Sequence, residues 1–206
     1  MWNDGAVYEG QWGYDMANGK GRIIHADGNS YEGEFKDDKA NGKGKYTYED
    51  GSTFEGTFLN DKYEGEGVEN WVDGSTYEGT YKDGKKHGEG KFVWGDGTEY
   101  VGGFHKGKMH GQGTKTWENG KSYEGGFVDN KMEGYGEFSQ PDGKCYKGGW
   151  KYDRKNGFGK FEWGDGRVYE GEWKNGKQHG KGMYTTDKSD IKYGIWSNGT
   201  RTRWIS

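Results

Sequence analysis

An aromatic residue returns every 23 positions along most of the chain. A glycine follows it by two positions and a second aromatic residue by four, as in Tyr31, Gly33 and Phe35. A fixed period between about 20 and 50 residues is the signature of stacked repeats. The period therefore predicts one continuous repeat array. The first aromatic residues of the eight repeats are Tyr8, Tyr31, Phe54, Tyr77, Tyr100, Tyr123, Tyr146 and Tyr169.

Each repeat has the pattern of a β-hairpin. In residues 31–36, rings and glycine alternate with charged residues, which is the period of a strand with one covered face. A second alternating stretch follows at 42–48, and Asp50-Gly51 then marks a tight turn. The other turn carries Asp38 and its counterparts, which are residue types that tolerate a positive φ. No part of the repeat requires a helix.

Glycines and rings fall on one face of the predicted strands, and charged residues fall on the other. Aromatic rings can cover the bare backbone of glycine in a neighbouring strand. We therefore predict an all-β fold, an elongated single-layer antiparallel meander of 23-residue hairpins. We expect it to be curved into a trough with the aromatic face inside.

Composition supports an ordered array without a thick core. The chain has 43 glycines and 17% aromatic residues, and Leu59 is its one leucine. The net charge is only -4 and the rings are strictly in phase, which argues against disorder. No apolar run could span a bilayer, and no signal peptide is expected. Because Cys145 stands alone, an internal disulfide is excluded, which predicts a cytoplasmic protein.

The pattern Tyr-x-Gly-x-(Trp/Phe), a variable turn, Gly-x-Gly and Asp-Gly resembles the MORN repeat (membrane occupation and recognition nexus). The Gly-x-Gly element runs from Gly19 and Gly21 to Gly180 and Gly182. We predict one array over residues 1–206, with eight full repeats from residue 8 and a partial repeat or cap at 192–206. The spacing of residues 2–5 indicates that the chain starts inside a repeat.

The resemblance to MORN proteins implies a non-enzymatic scaffold in cytoskeletal, ciliary or cortical assemblies, often beside membranes. It also implies membership of a larger complex or a homo-oligomer. MORN arrays also occur attached to lipid kinases and to a lysine methyltransferase. An alternative is therefore a regulatory array of a phosphatidylinositol phosphate kinase-like protein, whose activity would belong to residues outside this chain.

No residue pattern indicates an active site, a cofactor or a metal. His87, His110 and His179 share one phase of the repeat, but Asn or Glu occupies that phase elsewhere. Cys145 falls on a phase that also carries valine, serine and threonine, so it does not indicate a nucleophile. Acid, base and nucleophile converge nowhere, which predicts that the chain is not an enzyme.

A row of cations recurs at one hairpin turn. It consists of Lys39, Lys62, Lys85, Lys108, Lys131, Arg154 and Lys177. The simpler interpretation is a solvated turn position. The alternative is an anion-binding edge for phosphoinositide headgroups or for acidic protein segments. Glutamates recur on the strands and the chain is acidic overall, so nucleic acid is not an expected partner.

A second row of aromatic residues recurs at the end of the second strand. It consists of Tyr48, Trp71, Trp94, Trp117 and Trp163. These rings can serve as core by covering glycines. They can also form a partner site, because a single sheet leaves part of each ring open and exposed apolar patches bind partners. We predict that the aromatic trough holds an extended or helical segment of a partner protein.

Overall fold

The computed structural model describes residues 5–205, which contain eighteen β-strands and no helix. The strands are antiparallel and each pairs with its neighbour in the chain, as shown for β1–β8 and for β10–β18. The predicted all-β, single-layer meander of hairpins is confirmed. No helix in this part of the chain is long and apolar enough to cross a membrane.

The chain divides into two compact units. The first runs up to Gly97 and includes Phe104–Gly107, and the second consists of Thr98–Gly103 and the chain from Lys108 onward. The first unit holds β1 (Val7–Gly13), β2 (Met16–Ile24), β3 (Ser30–Lys36), β4 (Lys39–Thr47), β5 (Thr53–Leu59), β6 (Lys62–Asn70), β7 (Thr76–Lys82) and β8 (Lys85–Val93). Strand β9 (Glu99–His105) contributes residues to both units. The second unit holds β10 (Lys108–Thr116), β11 (Ser122–Val128), β12 (Lys131–Ser139), β13 (Cys145–Lys151), β14 (Arg154–Trp163), β15 (Arg167–Lys174), β16 (Lys177–Thr185), β17 (Ile191–Ser197) and β18 (Thr200–Ile205).

Two kinds of turn connect the strands. The tip of the β3–β4 hairpin is Asp37-Asp38, with φ of 49° and 66°. Positive φ at both residues is the type I′ geometry, whose twist matches that of the strands. Between repeats, the Gly51 amide donates to the Tyr48 carbonyl at 3.0 Å, and the Asp50 carboxylate accepts from the Ser52 amide at 2.8 Å. Both predicted turns are confirmed.

A bulge, which the alternating pattern did not indicate, interrupts the hairpins. In β3 and β4, Gly33 lies opposite Gly44 but Phe35 lies opposite Ala40. One residue of β3 therefore faces three residues of β4. Gly42 lies in this bulge with φ of 107°, and a Cβ there would lie 2.6 Å from the Glu34 carboxylate. At Gly42 a side chain would therefore point towards Glu34, although the residue directly opposite Gly42 in β5 is Phe58 of the aromatic face.

The first ring of each repeat lies on the second glycine of Gly-x-Gly. Tyr31 is only 2% exposed, and a Cβ on Gly44 would lie 2.4 Å from its ring. The Tyr31 hydroxyl reaches past the glycine and donates to the Glu34 carbonyl in the bulge at 2.9 Å. The equivalent bond is made by Tyr8, Tyr77, Tyr100, Tyr123, Tyr146 and Tyr169. The ring therefore fills the space above the glycine and satisfies a carbonyl that the bulge removes from the ladder.

These rings also join neighbouring repeats. The Tyr31 ring centroid lies 4.7 Å from that of Phe58 in the next repeat, and Tyr123 lies 5.3 Å from Trp150. Both pairs are edge-to-face, a preferred geometry for aromatic rings. A continuous aromatic core is thus built within each unit from one layer of strands.

A hairpin-tip side chain adds a second connection between repeats. The Asp61 carboxylate accepts from the Ala40 amide at 2.8 Å, and the Asp61 amide donates to the Ala40 carbonyl at 3.0 Å. Asn130 makes the same pair of bonds with Met109. The sequence predicted only that these turn residues tolerate a positive φ. It did not predict that their side chains accept a hydrogen bond from the neighbouring repeat.

Strands β17 and β18 form a hairpin where the cap was predicted. Trp196 is 5% exposed, and its ring centroid lies 4.9 Å from that of Tyr169. The partial repeat predicted at residues 2–5 lies largely outside the described residues. A single array over the whole chain, with an elongated and curved form, stays a prediction.

Candidate interaction faces

The predicted aromatic residues of the first unit lie at the ends of the second strands, where the turns begin. Tyr48, Trp71 and Trp94 are all half-buried. The Trp71 ring stacks on Phe92 with centroids 5.3 Å apart, and Trp94 lies 4.5 Å from the same Phe92 ring. Tyr48 contacts Tyr46 at 4.8 Å between centroids. Each predicted ring thus packs on one side and keeps part of its surface open.

A groove of about 580 Å³ lies on this aromatic face of the first unit. Rings of Tyr31, Phe35, Tyr48 and Phe58 contribute to its walls, and Asp38 provides a carboxylate. Apolar concave surface with a few polar groups is the usual character of a binding site. The first unit therefore has a concavity on the face where the sequence predicted one.

An ion pair lies among the rings of this face. Lys86 Nζ is 2.8 Å from Glu69 Oε2, and the two side chains are only 16% and 11% exposed. The Tyr81 hydroxyl donates to the same Glu69 oxygen at 2.9 Å, and Lys86 Nζ lies 4.6 Å from the Trp71 ring centroid. The Glu69 carboxylate, which sequence reasoning did not single out, thus neutralises a lysine enclosed by rings.

The second unit presents Trp117 and Trp163 at equivalent places, and both are half-buried. Trp117 lies 5.6 Å from Phe138 and Trp163 lies 4.8 Å from Phe161, measured between ring centroids. The Arg167 guanidinium carbon lies 5.5 Å from the Trp163 ring. These two rings therefore have the same packed and open sides as those of the first unit.

Lys155 lies in an enclosure of rings that the sequence reading missed. Its Nζ is 4.0 Å from the ring centroid of Phe161, 4.8 Å from Tyr146 and 4.9 Å from Trp173. Burial in this apolar setting lowers the pKa of Lys155 to about 8. The sequence did contain a signal for this site. Lys155 occupies the repeat position that holds an apolar residue, Met109 or Met132, in the two preceding repeats of the second unit.

The opposite face of the first unit carries a larger groove of about 1290 Å³. Its floor is glycine backbone and its walls are charged side chains, among them Glu32, Lys45, Glu55 and Glu78. Glu32 lies directly opposite Lys45, which in turn lies opposite Glu55. Opposite charges facing each other across strands stabilise a sheet. The charges of this groove are therefore matched within the protein to a large extent.

All seven residues of the predicted cation row are exposed. Lys62 lies 3.4 Å from Asp83, and Lys108 lies 3.6 Å from Asp129. These pairs support the interpretation of solvated turn residues at two of the seven positions. Elsewhere the tips concentrate positive charge, since Lys174 lies opposite Lys177 across the hairpin.

The histidines and the cysteine are dispersed. Within residues 5–205, no group of three His, Cys, Asp or Glu side chains could hold a metal ion. Burial and the nearby Glu137 carboxylate raise the pKa of the Cys145 thiol, although a contact with Ser139 acts in the other direction. A raised pKa leaves less thiolate, so the geometry gives Cys145 no activation as a nucleophile.

The chain belongs to the MORN repeat family. The family matches eight tandem segments, at residues 8–30, 31–53, 54–76, 77–99, 100–122, 123–145, 146–166 and 169–190. Each segment begins at the first aromatic residue of a repeat, and the resemblance drawn from the sequence is confirmed. A comparison with curated proteins finds no match.

Among solved structures, the chain is similar to the TCP domain of SAS-4 (dCPAP) of Drosophila melanogaster in complex with a proline-rich motif of Ana2 (dSTIL). The identity is 10%, 86% of this chain and 90% of that chain are covered, and the TM-score is 0.47. It is also similar to the TCP10 domain of Danio rerio CPAP, with 12% identity, 91% and 89% coverage and a TM-score of 0.46. TM-scores this low support no transfer of function.

Proposed function

We propose that this MORN-repeat protein is a non-enzymatic scaffold that binds an extended or helical segment of a partner protein on its aromatic face. The observation that supports this most directly is the half-burial of Tyr48, Trp71, Trp94, Trp117 and Trp163. In a single-layer sheet these rings have packing neighbours on one side only. Open aromatic surface beside a rigid core is the composition of binding hot spots.

The groove beside Tyr48 gives such a segment a place to lie in the first unit. The larger groove on the charged face is the competing site, but its cross-strand charges are already matched. A partner there would meet a surface on which Glu32, Lys45 and Glu55 already lie opposite one another across the strands. We therefore place the partner on the aromatic face. The cytoskeletal, ciliary or cortical setting, and assembly into a larger complex or homo-oligomer, are proposed from the family alone.

The test compares the two faces with matched substitutions in the first unit. Short peptides selected on the unmodified protein from a displayed random library are titrated against Trp71→Ala and Glu78→Lys. We expect Trp71→Ala to weaken binding by about 2 kcal/mol, roughly thirtyfold, because a truncated hot-spot ring typically costs that much. Glu78→Lys should leave binding within about twofold. Equal losses, or a loss with Glu78→Lys alone, would place the partner on the charged face.

A second candidate function is binding of phosphoinositide headgroups at the hairpin tips. It is favoured by like charges that face each other directly, Lys151 with Arg154 and Lys174 with Lys177. Such pairs destabilise a hairpin, and a bound anion would offset the repulsion.

Vesicles containing phosphoinositide test the second candidate. Changing Lys151, Arg154, Lys174 and Lys177 together to Glu should abolish vesicle binding, and binding by the unmodified protein should weaken with added salt. The matched control changes Lys62 and Lys108, which already face aspartates, and should lose less. Absence of binding by the unmodified protein at physiological salt would reject this function.

A further inference from the structure

We propose that the aromatic face of the second unit recognises an acidic side chain of the partner segment, whose carboxylate pairs with the ammonium group of Lys155. This inference rests on the proposed function and specifies the chemistry of the partner. The partner segment would carry one Glu or Asp flanked by apolar residues. The apolar flanks would contact Trp163 and the neighbouring rings.

The first unit contains a lysine at the same phase of the repeat, also among rings but with a carboxylate beside it. Lys86 and Lys155 occupy the same phase of the repeat, three repeats apart. Lys86 is paired with Glu69 at 2.8 Å. The residue that corresponds to Glu69 for Lys155 is Phe138. No carboxylate of residues 5–205 lies within ion-pair distance of Lys155. In the second unit the Phe138 ring takes the place of the Glu69 carboxylate, so a charge partner for Lys155 would have to come from a ligand.

The rings around Lys155 hold the cation without neutralising it. Phe161, Tyr146 and Trp173 lie 4.0, 4.8 and 4.9 Å from its Nζ, so the ammonium group lies at cation–π distance from three rings. A cation taken out of water is stable only when it is paired and hydrogen-bonded. Lys155 is half-buried rather than fully buried, and the proposal requires that a ligand carboxylate approach its ammonium group from the open side. An incoming carboxylate would supply the missing charge in an environment where such a pair is little screened.

The fold does not require a lysine at this position. The same phase is filled by Met109 and Met132 within the second unit and by Ala17 and Ala40 in the first. An apolar side chain therefore fits between the rings. The presence of a lysine is better explained by a ligand than by packing.

A carboxylate is the ligand that the surroundings favour. Glu69 shows, at Lys86, that a carboxylate can pair with a lysine at this phase of the repeat, where the Tyr81 hydroxyl also donates to it. Trp163, whose ring lies 4.8 Å from that of Phe161, keeps an open apolar side, so the residues beside the carboxylate should be apolar as well. Charge and surface together fit an acidic residue within an apolar segment.

The experiment selects short peptides from a displayed random library on the unmodified full chain and measures their affinities for variants. We expect the selected peptides to share an acidic residue with apolar neighbours. Lys155→Met, which introduces the residue found at two equivalent positions, should weaken their binding at least about tenfold. The matched control is Lys181→Met, an exposed strand lysine of the same unit, and it should leave binding within about twofold.

A double-mutant cycle then isolates the pair. Each selected peptide is compared with its twin in which Gln or Asn replaces the acidic residue. The acidic peptide should prefer the unmodified protein over Lys155→Met by about tenfold, and the amide twin should bind both equally. Equal preference by the two peptides would overturn the inference.

Trp163→Ala distinguishes failure of this inference from failure of the proposed function. If peptides lose affinity with Trp163→Ala but show no coupling to Lys155, the aromatic face binds partners without recognising an acid. If neither Trp163→Ala nor Trp71→Ala affects any selected peptide, the aromatic face is not the binding face, and the proposed function and this inference both fail.

Discussion

Lys155 lies next to Arg154 in the chain, and the two cations have different surroundings. Arg154 is exposed at the hairpin tip, whereas Lys155 lies among rings. Burial lowers the pKa of Lys155 from 10.5 to about 8. Between these two values the unfolded chain binds a proton at this lysine that the folded chain does not, so stability rises with pH across this window. Below about pH 8 the folded protein carries the full cost of the buried charge.

Lys155→Met should therefore stabilise the free protein. The difference between the two pKa values corresponds to about 3 kcal/mol, and we expect about 2 kcal/mol near neutral pH because part of the side chain meets solvent. The gain in the free energy of unfolding should shrink towards zero as the pH rises from about 8 towards 10.5. Urea unfolding followed by tryptophan fluorescence at several pH values measures it. Lys181→Met provides the control, and an equal, pH-independent gain in both variants would contradict the assigned cost of burial.

At the scale of the element, the hairpin tip is also the connection between repeats. Asp61 has φ of 66° and its carboxylate accepts from the Ala40 amide. Asp61→Gly keeps the left-handed backbone accessible but removes the acceptor, so it should cost about 1 kcal/mol of stability. Asp61→Asn should be nearly neutral, because Asn130 makes the same bond with Met109.

The measurement for Asp61 is urea unfolding together with hydrogen exchange of the Ala40 amide. Faster exchange at Ala40 should accompany the loss in Asp61→Gly and be absent in Asp61→Asn. Unchanged exchange in Asp61→Gly would show that the Asp61 carboxylate does not protect the Ala40 amide.

The strands and turns could be predicted from the sequence because each depends on local chemistry. The alternation of rings and glycines with charged residues predicted the strands. Asp50-Gly51 predicted a turn because glycine readily adopts a positive φ, as Gly51 does. The bulge could not be predicted, because Gly42 and Gly44 fit an unbroken strand as well as a bulged one. The placement of Lys155 among rings follows from this register shift. Alternation alone therefore could not reveal it, although it did place Trp163 and the rest of the aromatic row.

At the scale of the whole molecule, the buried tyrosines make stability depend on alkaline pH. Burial raises the pKa of Tyr31 and of Tyr169 to about 12, and it also raises the pKa of Tyr77, Tyr123 and Tyr146. The hydroxyls of these residues donate to bulge carbonyls, and an ionised oxygen cannot donate. Ionisation would thus remove a bond from each repeat and place a charge in the core.

The protein should lose stability steeply between about pH 10 and about pH 12. In this range the unfolded tyrosines release protons that the folded ones retain, so the free energy of unfolding falls as pH rises. Below about pH 10 the contribution of these groups is fully present and does not change with pH. Urea unfolding measures the free energy of unfolding across this pH range, and tyrosinate absorbance measures the fraction of ionised tyrosine. Replacing Tyr31 and Tyr169 by Phe should lower stability at neutral pH, because two bonds are lost, yet make the decline with pH shallower. A decline of unchanged slope in this double variant, or full tyrosine ionisation near pH 10 in a protein that remains folded, would show that the rings above the glycines are open to water.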